Sequence, residues 1–231
     1  MGLGIVRERQ DDREQAPRAY AAIQKAVALS DRHASPKEKA LIQAMSARYV
    51  AKYDPARRVE QDRAYAEAMR RVAETYPEDL DAATLYAEWL FLLLPRPGMF
   101  DLQDPTVDRL MRVLERALKR DMRHPGACHM YIHTTELTSE AARAEACAEH
   151  LGSSIPGASH INHMPAHTFT RVGRWGDAVR ASLQAWQSDL APRQNVRAGA
   201  LSIRIVRHRW RGGVVQETNL LRAWENVEQI L

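Results

Sequence analysis

Apolar residues recur at three- and four-residue intervals along most of the chain, the spacing that lines one face of an α-helix. Ala19, Ile23, Ala26 and Val27 form such a stripe over residues 16–29. Ser35-Pro36-Lys37-Glu38 reads as a helix start, with Ser at the N-cap, Pro in the first turn and Glu placed to close a capping box. The pattern predicts that helix to run to about Tyr53. Asp54-Pro55 opens another, with Tyr65, Ala68, Met69 and Val72 on one side and an end at Tyr76-Pro77. Asp81 to Leu94 is apolar almost all round, as a buried helix is. Pro95 to Gly98 breaks it, and a loop lasts to about Asp104. Pro105 to Arg120 then carries the stripe Val107, Leu110, Met111, Leu114 and Leu118.

Four more helices are predicted after His124. One starts at Pro125. A short Ala-rich one covers Ser139 to Leu151, one runs from about Ser159 to Val172 with Pro165 as a candidate kink, and one covers Asp177 to Leu190. Gly152 to Gly157 and Gly173 to Gly176 read as turns. Strand-like alternation is confined to Leu201 to Arg207. Prolines 77, 125, 156 and 192 fall near the ends of helix pairs, at intervals in the range of helical repeats. His163 to Pro192 fits part of a tetratricopeptide pattern through Phe169, Gly173-Arg174-Trp175, Ala178 and Ala185. The expected fold is all-α, a tetratricopeptide-like right-handed stack of antiparallel helix pairs (an α-solenoid) over residues 1–192. A divergent basic segment follows at 193–231, in which Arg197 to Arg211 holds five arginines and His208. A helix pair cannot bury its apolar face alone, so stacking is required.

Composition narrows the partners. A chain of 231 residues with 45% apolar positions can bury a sizeable core. A net charge of only +4 gives no argument for nucleic acid. Only five of the 33 basic residues are lysine, a bias that fits a GC-rich genome better than a phosphate-binding surface. Two cysteines, Cys128 and Cys147, exclude a disulfide framework and fit a reducing compartment. Met1-Gly-Leu-Gly-Ile-Val lacks the basic and apolar regions of a signal peptide, and the longest apolar run, Trp89 to Leu94, is far too short to span a bilayer. The expected location is cytoplasmic, with no membrane partner.

The chemistry is concentrated in two segments, His124 to Glu136 and His160 to Arg174, which hold six of the nine histidines. His129, His133 and Glu136 are spaced i, i+4, i+7, and His160, His163 and His167 are spaced i, i+3, i+7. Each set shares one face of a helix. An imidazole pair at i, i+4 can hold a metal ion from one helix while a second helix supplies the remaining ligands. His129, His133, His163 and His167 are therefore the candidate metal ligands, and Glu136 and Arg171 the candidate catalytic residues. Imidazole suits Zn, Cu and Fe. The competing reading is a network of histidines that cap and cross-link helices by hydrogen bonds. His124, before Pro125, is expected to cap, and His160 fits either role. Arg171 is placed to hold Glu136 or a substrate carboxylate, or to make a structural salt bridge. Glu88, on an otherwise apolar helix, needs a partner if buried. Tyr131 reads as core, Cys128 points away from the histidine line, and His150 and His208 are expected to be exposed. No nucleophile elbow, P-loop or dinucleotide fingerprint is present.

These segments resemble a bacterial family of tetratricopeptide-like proteins carrying HPGxxHxYIHxxE and PGxxHxxHMPxHxxxRxGR motifs. The matching residues are His124-Pro125-Gly126, His129, Tyr131-Ile132-His133 and Glu136, then Pro156-Gly157, His160, His163-Met164-Pro165, His167, Arg171 and Gly173-Arg174. Tyr65, Tyr76-Pro77 and Leu85-Tyr86-Ala87-Glu88 extend the resemblance, which covers about residues 35–190. It implies a helical-repeat fold and does not specify chemistry. Two departures stand out. The family usually has a further helical pair before the region matching residue 16, and continues after the helix ending near Leu190 with a PHNxHF segment that Ala191 to Arg197 does not match. A stack that starts and ends on incomplete pairs is expected to form a homodimer over an end face. The functional expectation is a metal-dependent hydrolase or oxidase acting on a small molecule or peptide. The alternative is a non-enzymatic scaffold binding a peptide or protein.

Overall fold

In the computed structural model, residues 2–95, 98–152, 154, 155 and 157–195 are described. Among them every regular element is helical and no strand occurs. The chain divides into two compact units, residues 1–117 and 118–231. The alternating segment at Leu201 to Arg207 and the basic segment beyond Asn195 lie outside the described residues.

In the first unit, α1 (Gly2–His33) packs on α2 (Pro36–Ser46), α2 on α3 (Arg58–Thr75), and α3 on α4 (Leu80–Leu93). Ala19, Ile23, Ala26 and Val27 are half-buried, so the predicted stripe of α1 faces inward. The Ser35 hydroxyl accepts from the Glu38 N–H, and the Glu38 carboxylate accepts from the Ser35 N–H at 2.8 Å, completing the capping box. Helix α2 ends at Ser46, seven residues before the expected end. The cause is tertiary. The Arg48 guanidinium lies 4.1 Å from the centroid of the Trp89 ring on α4 and bonds the Tyr49 hydroxyl and Asp62 on α3. These contacts override a segment whose own pattern would continue the helix. Asp54 then caps a short 3-10 turn, Pro55–Arg57, that leads into α3. Tyr65 and Trp89 meet edge to face at 4.9 Å between α3 and α4, over a core that includes the fully buried Met69 and Ala87. Helix α5 (Pro105–Arg120) has the predicted bounds, and its stripe Val107, Leu110, Met111, Leu114 and Leu118 is buried throughout.

The second unit holds α6 (Pro125–Glu136), a 3-10 turn (Ala141–Ala144) running into α7 (Glu145–Leu151), α8 (Ser159–Arg171) and α9 (Trp175–Asn195). Helix α8 is the hub: it packs on α6, α7 and α9. Its C-terminus closes in a Schellman motif. Gly173 adopts φ 80, the Arg174 N–H bonds the Phe169 carbonyl at 2.8 Å, and the Gly173 N–H reaches Thr170. Arg174 then stacks on Phe169 and binds Glu145 and Glu149 of α7 and Asp177 of α9, tying three elements together. Helix α9 starts two residues earlier than expected and runs through Pro192, where a pair end was predicted. Across the interior of the same packing, Asn162 Nδ2 donates to the Ser188 hydroxyl at 2.7 Å.

Candidate metal centre

The local sequence of α6 explains how its histidines are presented. Pro125 occupies the first turn, where a missing N–H costs nothing, and the His124 ring Nδ1 accepts from the Ala127 N–H at 3.1 Å as the N-cap. His124 is thus spent on starting the helix. Ala127, Cys128, Met130, Tyr131 and Ile132 fill the core side. Thr134 and Thr135 are fully buried as well, and each hydroxyl bonds the carbonyl one turn back, at 2.8 Å to Met130 and 2.8 Å to Tyr131. That local satisfaction lets polar residues sit inside without a penalty. What remains on the free face is His129, His133 and Glu136.

Helix α8 lays His160, His163 and His167 against that face. The Nε2 atoms of His129 and His160 lie 3.0 Å apart. His133 is 4.8 Å from His129 and 5.9 Å from His160, measured between ring centroids. Ligand atoms of His129, His133 and His160 all fall within 4.8 Å of one another, close enough to share one ion. His133 is buried, His129 half-buried and His160 exposed, so the group opens toward solvent on the α8 side. His163 and His167, the expected partners of the α6 pair, continue the same cluster: His167 is 5.5 Å from His133, and His163 is 5.0 Å from His167. His160, whose role the spacing left open, is the α8 residue brought into the triad.

Glu136 bridges the two rows. Its Oε1 is 2.9 Å from His133 Nδ1, and its Oε2 is 2.5 Å from His167 Nδ1. Burial pushes this carboxyl up, but the charge on His167 and the bonds from both imidazoles outweigh it, and the group is held far below the usual carboxylate range. An ionised carboxylate only accepts, so both Nδ1 atoms donate. His133 is thereby tied to the end of its own helix through Nδ1. For His167, burial opposes protonation, while the Glu136 charge and bond raise the pKa above the ordinary value. The other histidines go the opposite way. Burial, then the neighbouring His133 and His160, takes His129 down to about 3. Burial, then His167, takes His163 down to about 4. His160, exposed as a residue but with its ring set against His129 and His133, is lowered by that partial desolvation and by His133 and His167. The triad members His129 and His160 are therefore neutral near pH 7, the form a metal requires.

Arg171 does not hold Glu136: its Nη2 donates to the Thr138 carbonyl at 3.0 Å, just past the end of α6. Glu88, half-buried on α4, belongs to the first unit. His150 is exposed as expected, and His208 lies outside the described residues. Cys128 bonds the Met122 carbonyl at 3.2 Å, and the contact with the Cys128 sulfur, then burial, pushes the Cys147 thiol up. Both thiols are buried and take no part in the histidine group.

No helix among the described residues is long and apolar enough to cross a membrane. Comparison with protein-family models, with curated proteins and with solved structures returned no match.

Proposed function

We propose that the chain is a tetratricopeptide-like helical-repeat protein whose second unit carries a metal centre. His129, His133 and His160 are its ligands, and Glu136 orients His133. The observation that carries this reading is the convergence of three imidazoles from two helices, one already held by a carboxylate through its far nitrogen. A carboxylate–histidine–metal arrangement fixes the tautomer and raises the basicity of the ligand. The 3.0 Å separation of the His129 and His160 Nε2 atoms also suits a shared ion. At bond lengths of ~2.0–2.1 Å it would subtend an angle of roughly 94°. Three protein ligands leave coordination positions open. An open position on zinc activates water for hydrolysis, and on copper or iron it takes dioxygen. The activity we infer is that of a metal-dependent hydrolase or oxidase acting on a small molecule or peptide.

A second reading rests on the same distances. The His129–His160 and Glu136 contacts are of hydrogen-bond length and close a network without an ion. The histidines would then lock α6 to α8 in a scaffold for a peptide or protein partner. Elemental analysis of purified protein separates the two. The first reading expects about one transition-metal ion per chain, lost in His133→Ala with helicity retained. Metal-free protein that takes up no added ion, combined with unfolding of His133→Ala, favours the scaffold.

A further inference from the structure

We infer that the centre takes a small oxyanion, a carboxylate in the simplest case, as its exogenous ligand, and discriminates by charge against neutral molecules of the same shape. This inference rests on the metal reading above and specifies what fills the open position.

The group of residues whose ligand atoms converge is all imidazole: among the described residues it includes no aspartate, glutamate or cysteine. Imidazole ligates as a neutral base, so a divalent ion held by His129, His133 and His160 keeps its full +2 charge. Glu136, the carboxylate bonded into this cluster, cannot neutralise it by direct ligation without loss. Glu136 has both oxygens committed, Oε1 to His133 Nδ1 at 2.9 Å and Oε2 to His167 Nδ1 at 2.5 Å. Swinging one oxygen to the ion would break a charge-assisted bond and release the ring it orients. The anionic ligand that a +2 centre favours must therefore come from outside the chain.

The geometry also says from which side. His133 is buried at the base of the group, while His160 is exposed at its edge, in the first turn of α8. A ligand reaches the ion past His160 and His129, the side on which the group is open to solvent. The same unneutralised charge favours hydroxide over water at that position, so anion affinity and water activation are two expressions of one electrostatic property. A small carboxylate competes with that hydroxide for the open position.

The test uses the whole chain loaded with cobalt(II), whose visible bands respond to a change of inner ligand. Sodium acetate and acetamide, nearly equal in size and different in charge, are titrated separately at constant ionic strength. The expected result is a saturable change of the cobalt bands with acetate at a dissociation constant at least about tenfold below that for acetamide, a difference equivalent to ~1.4 kcal/mol. Equal responses to the two, or no response to either, would overturn the anion inference and leave the metal centre standing. Failure to take up cobalt at all would overturn the metal reading and this inference with it.

Discussion

Glu136 Oε2 lies 2.5 Å from His167 Nδ1, so the last residue of α6 is joined to the third histidine of α8 by a half-buried, charge-assisted hydrogen bond. The other oxygen of the same carboxylate holds His133. One side chain thus sets the tautomer of a proposed ligand and raises the pKa of a neighbour. Glu136→Gln keeps the shape and removes the charge. Metal affinity should fall about 10–100-fold, as for other partners that orient a ligating histidine. The His167 pKa should drop below its wild-type value, read by NMR titration of the imidazole protons in the metal-free protein. An unchanged His167 titration would show that the carboxylate does not set that pKa.

Acid should unfold the metal-free second unit earlier than an ordinary helical domain. His129 and His163 are held down at about 3 and about 4 in the folded protein, and the unfolded chain takes up a proton near ~6.5. Below that pH the unfolded state binds more protons, so stability falls as pH drops from ~6.5 toward the folded values. Glu136, depressed in the fold, contributes stability above about pH 4.3 that is lost in stronger acid. His167 has the opposite sign. Its raised pKa gives a contribution that is complete below ~6.5 and lost as pH rises through the folded value. Three lowered histidines outweigh one raised. The urea midpoint should decrease between pH 7.5 and pH 5, by an amount on the order of a few kcal/mol in stability. In the double variant His129→Gln, His163→Gln the slope should flatten. A midpoint that rises toward pH 5 would refute the sign.

His124 sits in the same motif as the proposed ligands and does a different job. Its Nδ1 caps α6 by accepting from the Ala127 N–H. His124→Ala should cost about 0.5–2 kcal/mol, the range for losing an N-cap. His124→Ser should recover most of that loss. Metal content should be unaffected by either. Thermal melts and elemental analysis of the two variants check both halves, and loss of metal in His124→Ser would move His124 into the centre.

How far the sequence showed all this depends on what each feature rests upon. Local signals translated faithfully. The Ser35 capping box, the α5 bounds and the His124-Pro125 start depend on residues within four positions of each other, and all appear as expected. Features set by distant partners did not show. Helix α2 stops at Ser46 because Arg48 is drawn to Trp89, more than forty positions away, and no periodicity reports that. Pro192 lies within α9, although such a residue usually breaks a pattern. The division at residue 117 falls inside the unbroken stripe of α5, where apolar spacing has nothing to say. For the site, spacing placed five imidazoles and Glu136 on two facing rows. It could not say which α8 histidine meets the α6 pair, because His160, His163 and His167 share one face and the choice depends on how far α8 slides along α6. Nor could it show that Glu136 is used up between two rings.

That choice yields the most direct prediction. The triad geometry gives His160 a nitrogen 3.0 Å from His129, while His163 touches only its neighbour His167 among the ring contacts of the cluster. Removing each in turn should therefore have unequal effects, although both lie on α8 and differ by less than one turn. His160→Ala deletes a first ligand at an exposed position, where little packing is lost. It should lower metal affinity by at least 100-fold, a loss of roughly 2.7 kcal/mol or more, with the melting temperature of the metal-free protein almost unchanged. His163→Ala removes a half-buried ring outside the proposed ligand set, and its affinity should stay within about threefold of wild type, under ~0.7 kcal/mol. Competition titrations with a chromogenic chelator measure both on the same scale. The reverse ranking, with His163→Ala losing the metal and His160→Ala keeping it, would place the ion between the α6 pair and the inner end of α8 and make His163 and His167 the ligands.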